Sequence, residues 1–371
     1  MRLFFCSLRN YLSLDLVFGE LPSDQDMGVE MSSAPHVLLT GGAGFIGSHT
    51  CLALLGAGFR VTILDNFENA HADVLARLER IAGCRIPVEH ADIRASAAVA
   101  GIVARGGFDA VVHFAARKSV PDSVADPLGY YESNCTGLLN VLAAMRAAGV
   151  GRIVFSSSAA IYGMPEVMPI TEETPAAPLN PYAESKAFGE TVLLAMGRAH
   201  PEMRIGILRY FNPVGAHPSG LIGEDPSQPP GNLVPVIGRV ATGQMERLTI
   251  FGGDWSTPDG TGIRDYIHVE DLARGHVLSL QALMGDGGSH LVNLGTGTGY
   301  SVLDVVRTYA DVSGRDIPYR IVDRRPGDAA VSYAATDRAR AVLGFQAQHD
   351  LRAMCASNWA YLNRRTEGEP I

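Results

Sequence analysis

The sequence predicts an α/β protein, a doubly wound parallel sheet followed by a smaller C-terminal α/β lobe. Three observations carry this. From His36, short apolar runs alternate with amphipathic stretches of helical length. The runs are apolar throughout, the pattern of strands covered on both faces in a parallel sheet. After Phe211 the alternation breaks and proline and glycine become dense from Pro213 to Gly231.

The predicted strands are His36–Thr40, Arg60–Asp65, Val88–Ile93, Asp109–Ala115, Arg152–Ser158 and Arg204–Tyr210. The helices between them include Phe45–Leu55, Ser96–Arg105, Pro127–Ala148 and Tyr182–Ala199. Residues 35–212 thus form the first domain and 213–371 the second lobe. Within that lobe Arg264–Gln281, followed by Leu291–Leu294, reads as helix plus strand and returns to the main sheet. Residues 1–34 fit poorly with the alternating pattern that begins at His36. They hold no apolar run long enough to span a bilayer and no convincing cleavage site. With Met27 and Met31 just before the first strand, they read as a disordered tail or a mis-chosen start.

Composition narrows the function. Hydrophobic residues are 47% and charged residues 19% of 371, enough for a large core in a soluble enzyme. A net charge of −9 without a basic stripe argues against nucleic acid. An anionic substrate must then meet local arginines. The five cysteines are scattered, with neither disulfide nor metal-ligand spacing, which points to the cytoplasm and to no metal.

Thr40-Gly-Gly-Ala-Gly-Phe-Ile-Gly47 joins the first strand to the first helix, in the manner of a Rossmann dinucleotide fold. Gly41 allows the tight turn, Gly44 admits a pyrophosphate, and Gly47 lets helix pack on strand. The phosphates would meet N–H groups of Phe45 and Ile46 at the helix start. Asp65, ending the second strand, would accept hydrogen bonds from the adenosine ribose and repel a 2′-phosphate, which favours NAD over NADP. Asp92 and Ile93 end the third predicted strand, where adenine would lie.

Tyr182 and Lys186 stand four apart on a predicted helix, on one face. A tyrosine acting as base near neutral pH needs its pKa lowered by roughly 3 units, about 4 kcal/mol. One cation about 5 Å away supplies roughly 3 kcal/mol at an effective dielectric near 20. The lysine and an oxidised nicotinamide ring are the two cations expected.

Taken together these residues resemble the extended short-chain dehydrogenase/reductase family and, within it, the UDP-glucose (UDP-galactose) 4-epimerases. The specific segments are Arg209–Gly220, Phe251–Val269 and Arg324–Asp328. The resemblance implies that Ser158 bridges the sugar 4-hydroxyl and Tyr182, and that Lys186 also binds the nicotinamide ribose. It implies Asn66 and Asn69 around the adenosine, and Phe114, Ala115, Ala116 and Lys118 along the cofactor. Asn134 would sit near its ribose and phosphates, and Phe211 near the nicotinamide. Asn212, Asn232, Arg264, Arg325 and Asp328 would hold the UDP-sugar. Ala116 stands where the family often has glycine, and Arg117 follows it.

The implied reaction is inversion at C4. Tyr182 takes the 4-hydroxyl proton, directly or through Ser158, while tightly held NAD takes hydride and returns it to the other face. An ungapped count places Ser332 at the hexose C2 substituent, where a small residue would admit N-acetylated sugars; a slip of one would put Tyr333 there. The helical stretches Pro127–Ala148 and Tyr182–Ala199 are expected to pair with a second copy as a homodimer. Two alternatives remain. One is a 4,6-dehydratase or uronate decarboxylase; Ser157, Ser158, Ala159 and Ala160 supply no acid for dehydration. The other is a non-catalytic NAD-binding protein.

Overall fold

The structure, a computed structural model, describes residues 34–225, 231–325 and 327–366. Its strands are β1 His36–Thr40, β2 Arg60–Asp65, β3 Val88–His90, β4 Ala110–His113, β5 Arg152–Ser158, β6 Arg204–Tyr210, β7 Asn212–Val214, β8 Leu248–Phe251, β9 Ile263–His268, β10 His290–Leu294, β11 Gly299–Ser301, β12 Tyr319–Val322 and β13 Val331–Ser332. The α-helices are α1 Phe45–Gly56, α2 Val74–Ala82, α3 Ser96–Gly106, α4 Val120–Ala125, α5 Pro127–Tyr131, α6 Gly137–Ala148, α7 Pro181–Ala199, α8 Leu233–Ala241, α9 Val269–Met284, α10 Val302–Ser313, α11 Asp337–Leu343 and α12 Leu351–Thr366. Among the described residues no helix is long and apolar enough to cross a membrane.

Period-two side-chain alternation builds the two faces of the main sheet. Val37 and Leu39 of β1 join one core with Leu54 of α1, Leu78 of α2 and Leu280 of α9. Leu38 points the other way, into a core with Ile102 of α3, Leu142 of α6 and Leu193 of α7. The sheet is parallel, in the order β10-β6-β5-β4-β1-β2-β3. The chain leaves β1 toward β2 and later returns to β4 on the other side of β1. That reversal opens a crevice at the carboxyl ends of the strands, the usual ligand position in such sheets.

The predicted doubly wound sheet is therefore present, with three local corrections. The third and fourth strands are shorter than predicted, so Asp92, Ile93, Phe114 and Ala115 lie in the loops beyond them. Arg264–Gln281 is a strand and then a helix. Alternating Ile263, Asp265 and Ile267 make β9 the centre of the second sheet, pairing β7, β11 and β13. His268 then caps α9, its Nδ1 accepting from Glu270 N at 3.1 Å. The stretch Pro127–Ala148 is interrupted by a π-helical segment at Glu132–Thr136. The wider turn carries Asn134 inward, where it is 5% exposed.

The return to the main sheet is made by α9 and β10, which pairs β6. The lobe has its own core, with Ile237 of α8, Tyr266 of β9, Tyr309 of α10 and Met354 of α12.

Candidate active site

The glycines of the turn after β1 are required for different reasons. Gly41 has φ +72, and a Cβ there would lie 2.6 Å from Ala115 N. A Cβ on Gly47 would overlap the Gly41 carbonyl oxygen. At Gly44 the nearest protein atom would be 3.4 Å away, an ordinary contact. Protein packing therefore does not demand glycine at 44. Gly44 also caps α1 without a side-chain hydrogen bond, so no side chain screens the start of that helix at Phe45 and Ile46. The geometry suits a close-approaching anion.

Asp65 is 9% exposed at the end of β2. Its Oδ2 accepts from Ala43 N at 3.0 Å and its Oδ1 from Phe67 N at 2.8 Å. Burial pushes its pKa up, against these hydrogen bonds. Asn66 donates to Asp92 Oδ2 at 3.0 Å. Hydrogen bonds from Arg94 hold Asp92 far below the usual carboxylate range. Asn69 is exposed on the same loop. Ile93 packs its side chain into the core under α6, and its carbonyl accepts from Asn140 at 3.0 Å.

The loop after β4 closes the other side. Phe114 packs against His276, ring centroids 4.6 Å apart. Asn134 clamps this loop: it accepts from Arg117 N at 2.8 Å and donates to Arg117 O at 3.0 Å and Ser185 Oγ at 2.9 Å. The expected ligand contact is thus, in the protein alone, a brace for the loop that carries Ala115, Ala116 and Lys118.

Ser158 ends β5 and Tyr182 opens α7. Asn180 starts that helix by accepting from Ala183 N at 2.9 Å, with Pro181 at the first position. Ser158 Oγ accepts from Ala160 N at 3.1 Å and hydrogen-bonds Tyr182. Its own proton is free to point at the phenol oxygen. Burial pushes the Tyr182 pKa up, while the Ser158 hydrogen bond and the charge of Lys118 draw it down.

Lys186 stands four residues further along α7. Lys186 Nζ donates to Ser156 O at 2.8 Å and lies over the Phe155 ring. Burial lowers its pKa to about 8. The arm is anchored on β5, and the charge of Lys118 also bears on Tyr182. Lys118 Nζ in turn contacts Glu224 Oε1 at 2.7 Å, which also accepts from Asn232 at 3.0 Å. Glu224, 8% exposed, is a site residue that the sequence reading missed. Its only signal was an acidic pair, Glu224 and Asp225, in a proline-dense segment.

On the lobe side, Asn212 donates to Asp265 O at 2.9 Å. Arg264 Nη2 lies 3.7 Å from Asp328 Oδ1. Arg324 is occupied by Asp254, at 2.7 Å, and by the Trp255 ring. Arg325 stacks on Phe251 and, among the described residues, has no carboxylate partner. Phe211, 6% exposed, belongs to a small core with Ile161, Tyr162, Ile170 and Ala334. Ser332 on β13 is the register partner of Arg264 on β9.

A buried network also missed in the sequence lies below Ser158. Arg209 and Glu190 pair at 2.6 Å, Ser157 donates to Glu190, and Arg209 donates to Tyr162 at 3.0 Å.

Residues 37–295 match the sequence model of the NAD dependent epimerase/dehydratase family. The chain belongs to this family. A Bacillus subtilis relative named UDP-glucose 4-epimerase is 48% identical over 332 residues, which are 90% of this chain and 98% of the relative. The crystal structure of UDP-glucose 4-epimerase from Stenotrophomonas maltophila, with NAD and formylated UDP-arabinopyranose, matches at TM-score 0.88 and 44% identity. It covers 90% of this chain and 100% of its own. The Bifidobacterium longum enzyme, in complex with NAD+ and UDP, matches at TM-score 0.86 and 45% identity, with coverage of 90% and 100%.

Proposed function

We propose that this chain interconverts UDP-glucose and UDP-galactose by inverting C4, with NAD resident in the crevice beside β1. The carrying observation is the Ser158–Tyr182 hydrogen bond at the carboxyl edge of the sheet, facing the open glycine turn. The crevice fits the cofactor on the protein's own terms. Gly44 leaves room that packing does not need, and Asp65 offers a buried carboxylate to ribose hydroxyls. The N–H groups of Phe45 and Ile46 would hold the phosphates, and the loop carrying Lys118 would lie beside them.

When bound, the dinucleotide supplies the hydride acceptor and donor for C4. Tyr182 takes the proton of the sugar 4-hydroxyl, with the Ser158 hydroxyl steadying the phenolate by donating to it. Lys118 favours that phenolate against burial, and the positive charge of an oxidised nicotinamide would add to it. Lys186, anchored on the Ser156 carbonyl, presents its charge to the nicotinamide ribose. Asn212, Asn232, Arg264 and Arg325 grip the UDP. Arg325 suits a phosphate because its guanidinium is not committed to a carboxylate. A firm grip on UDP with few contacts to the hexose lets the oxidised sugar turn over before reduction.

The family also contains dehydratases. The turn Ala159–Tyr162 directly after β5 carries no carboxylate, which favours the epimerase reading. Incubation with UDP-galactose and no added NAD tests it. UDP-glucose is the expected product; a dehydrated or decarboxylated sugar, or no turnover, refutes it.

Two finer points belong to this reading. Ser332 pairs with Arg264 across parallel strands, so both lie on one face of the small sheet. Tyr333, one residue on, lines a cleft with Met164, Met168, Trp255 and Asp328. The small residue therefore faces the nucleotide-sugar, and the enzyme accepts N-acetylhexosamines as well as hexoses. Second, α6 and α7 line an apolar groove with Leu139, 43% exposed, Ala143, Val192 and Met196. A second copy covers this groove in a homodimer; a monomer by light scattering at micromolar concentration would refute that. The free thiols Cys51, Cys84, Cys135 and Cys355 fit a reducing cytoplasm.

A further inference from the structure

Arg117 is not explained by any role above. Its backbone is pinned on both N–H and C=O by Asn134. Its guanidinium leaves the loop after β4 and reaches Glu68, in the loop after β2: Nη2 lies 2.6 Å and Nε 3.1 Å from Oε1. β2 and β4 are not neighbours, because β1 runs between them. Two strand spacings are roughly 9.6 Å. The contact therefore crosses the mouth of the crevice in front of the glycine turn, where adenosine would sit.

The surrounding charges extend the same crossing. Glu68 Oε2 lies 3.4 Å from Arg94 Nη2, and Arg94 holds Asp92 at 2.6 Å. Arg117 Nη1 lies 3.2 Å from Asp126 Oδ2, at the start of α5. The loops after β2, β3 and β4 are thus tied to each other on their solvent side. Phe67, just before Glu68, is a non-glycine residue with φ 57. That left-handed kink is held by Asp65 and by edge contact with His90, 5.4 Å between centroids, and it breaks the line of β2 directly before Glu68.

We propose that Arg117 and Glu68 form a clasp over the adenosine half of the crevice, which must open for the dinucleotide to leave and so sets how long it is retained. The proposal rests on the dinucleotide reading above. The two side chains are 34% and 43% exposed, so the pair contributes little to folding. Its effect appears in release, because ligand exit requires the pair to part.

The test is exchange of bound nucleotide. Wild type, Arg117→Leu, Glu68→Gln and the double variant are purified alike and mixed with excess isotopically labelled NAD. Loss of the unlabelled nucleotide from the protein is then followed by mass spectrometry. Each single variant should release about three- to fivefold faster, the scale of one exposed ion pair. The double variant should be no faster than either single one. Raising salt from about 0.05 to about 0.5 M should narrow the gap between wild type and variants. Wild-type release in both single variants, or additive effects in the double, overturns the clasp while leaving the dinucleotide reading intact. A wild-type protein that neither carries nor takes up nucleotide overturns both.

Discussion

Gly44 and Gly47 stand three residues apart in one turn, yet alanine should act oppositely at the two. At Gly47 a methyl overlaps the Gly41 carbonyl oxygen and comes 2.8 Å from Gly42 Cα. Both obstacles are backbone, which yields poorly, so Gly47→Ala should cost about 1–3 kcal/mol of stability. At Gly44 the nearest atom is 3.4 Å away, and φ −72, ψ 174 suit alanine. Two small effects oppose each other there. Alanine restricts the unfolded chain, favourable by about 0.4–1 kcal/mol. It is also a poorer N-cap than glycine, by about 0.5–1 kcal/mol. The free protein should therefore be nearly unchanged, while the methyl takes the room a pyrophosphate needs. Nucleotide-free Gly44→Ala should melt within about 2 °C of nucleotide-free wild type, and Gly47→Ala clearly lower. Denaturing the proteins as purified should release a full complement of NAD from wild type and little from Gly44→Ala. Gly44→Ala that keeps its full complement, or that melts as low as Gly47→Ala when stripped, would refute the assignment of that space to a ligand.

Other consequences are open to measurement. Lys118→Met removes the cation that draws down the Tyr182 pKa; the acid limb of the kcat/KM profile should move to higher pH, and an unmoved limb would return the role to Lys186. Ser332→Tyr should remove activity on UDP-N-acetylhexosamines with far less effect on hexoses, a change in ratio of about 10-fold or more from a clash of roughly 1–3 kcal/mol; an unchanged ratio in kinetics with both substrate pairs excludes that position. Glu190→Gln leaves the buried Arg209 charge unpaired and should cost about 3–5 kcal/mol in denaturant unfolding; a loss under about 1 kcal/mol would mean that water reaches the pair. His349 has its pKa raised by the Asp271 hydrogen bond, so it stabilises the fold below its unfolded pKa of about 6.5 and loses that effect as pH rises through the folded value. Burial acts to raise the Asp271 pKa, but the His349 and Arg274 hydrogen bonds hold it at about 2, so that carboxylate's contribution persists above pH about 4 and is lost toward 2. Melting curves of His349→Gln should fall furthest below wild type near pH 6 and approach it by about pH 9; equal gaps at both would exclude the linkage.

What could be read from the sequence was what is local. The glycine turn and Asp65 carry their geometry in consecutive residues, and each lies where its spacing put it. Helix periodicity also fixed that Tyr182 and Lys186 share a face, but not where the lysine's long arm would end. That depended on the Ser156 carbonyl, which faces it only after β5 and α7 have packed. Glu224 and Lys118 are more than a hundred positions apart, and nothing in either neighbourhood marks them as partners. The π-helical turn that swings Asn134 inward left the hydrophobic pattern of its helix nearly continuous. Arg117 looked like a mere departure because its partner Glu68 stands on another loop.

β10 gives the lobe a standing that its position in the chain conceals. Gly206 pairs with His290, so the last strand of the main sheet is added only after the first part of the lobe has been made. The first part of the lobe is an excursion between two neighbouring strands, and β11, α10 and α12 complete it after the last one. Joining strands about 80 positions apart adds little to the equilibrium cost of closure, which grows only logarithmically with loop length. It does slow folding, because the loop must close before the pairing is gained. A nascent chain that has left the ribosome only as far as Tyr210 therefore presents an incomplete sheet. Its edge strand Ile205–Tyr210 is largely apolar and would be paired only on the β5 side, the kind of edge that seeks other chains. The completed protein hides that edge beneath β10, and a fragment cut at the apparent domain boundary would not.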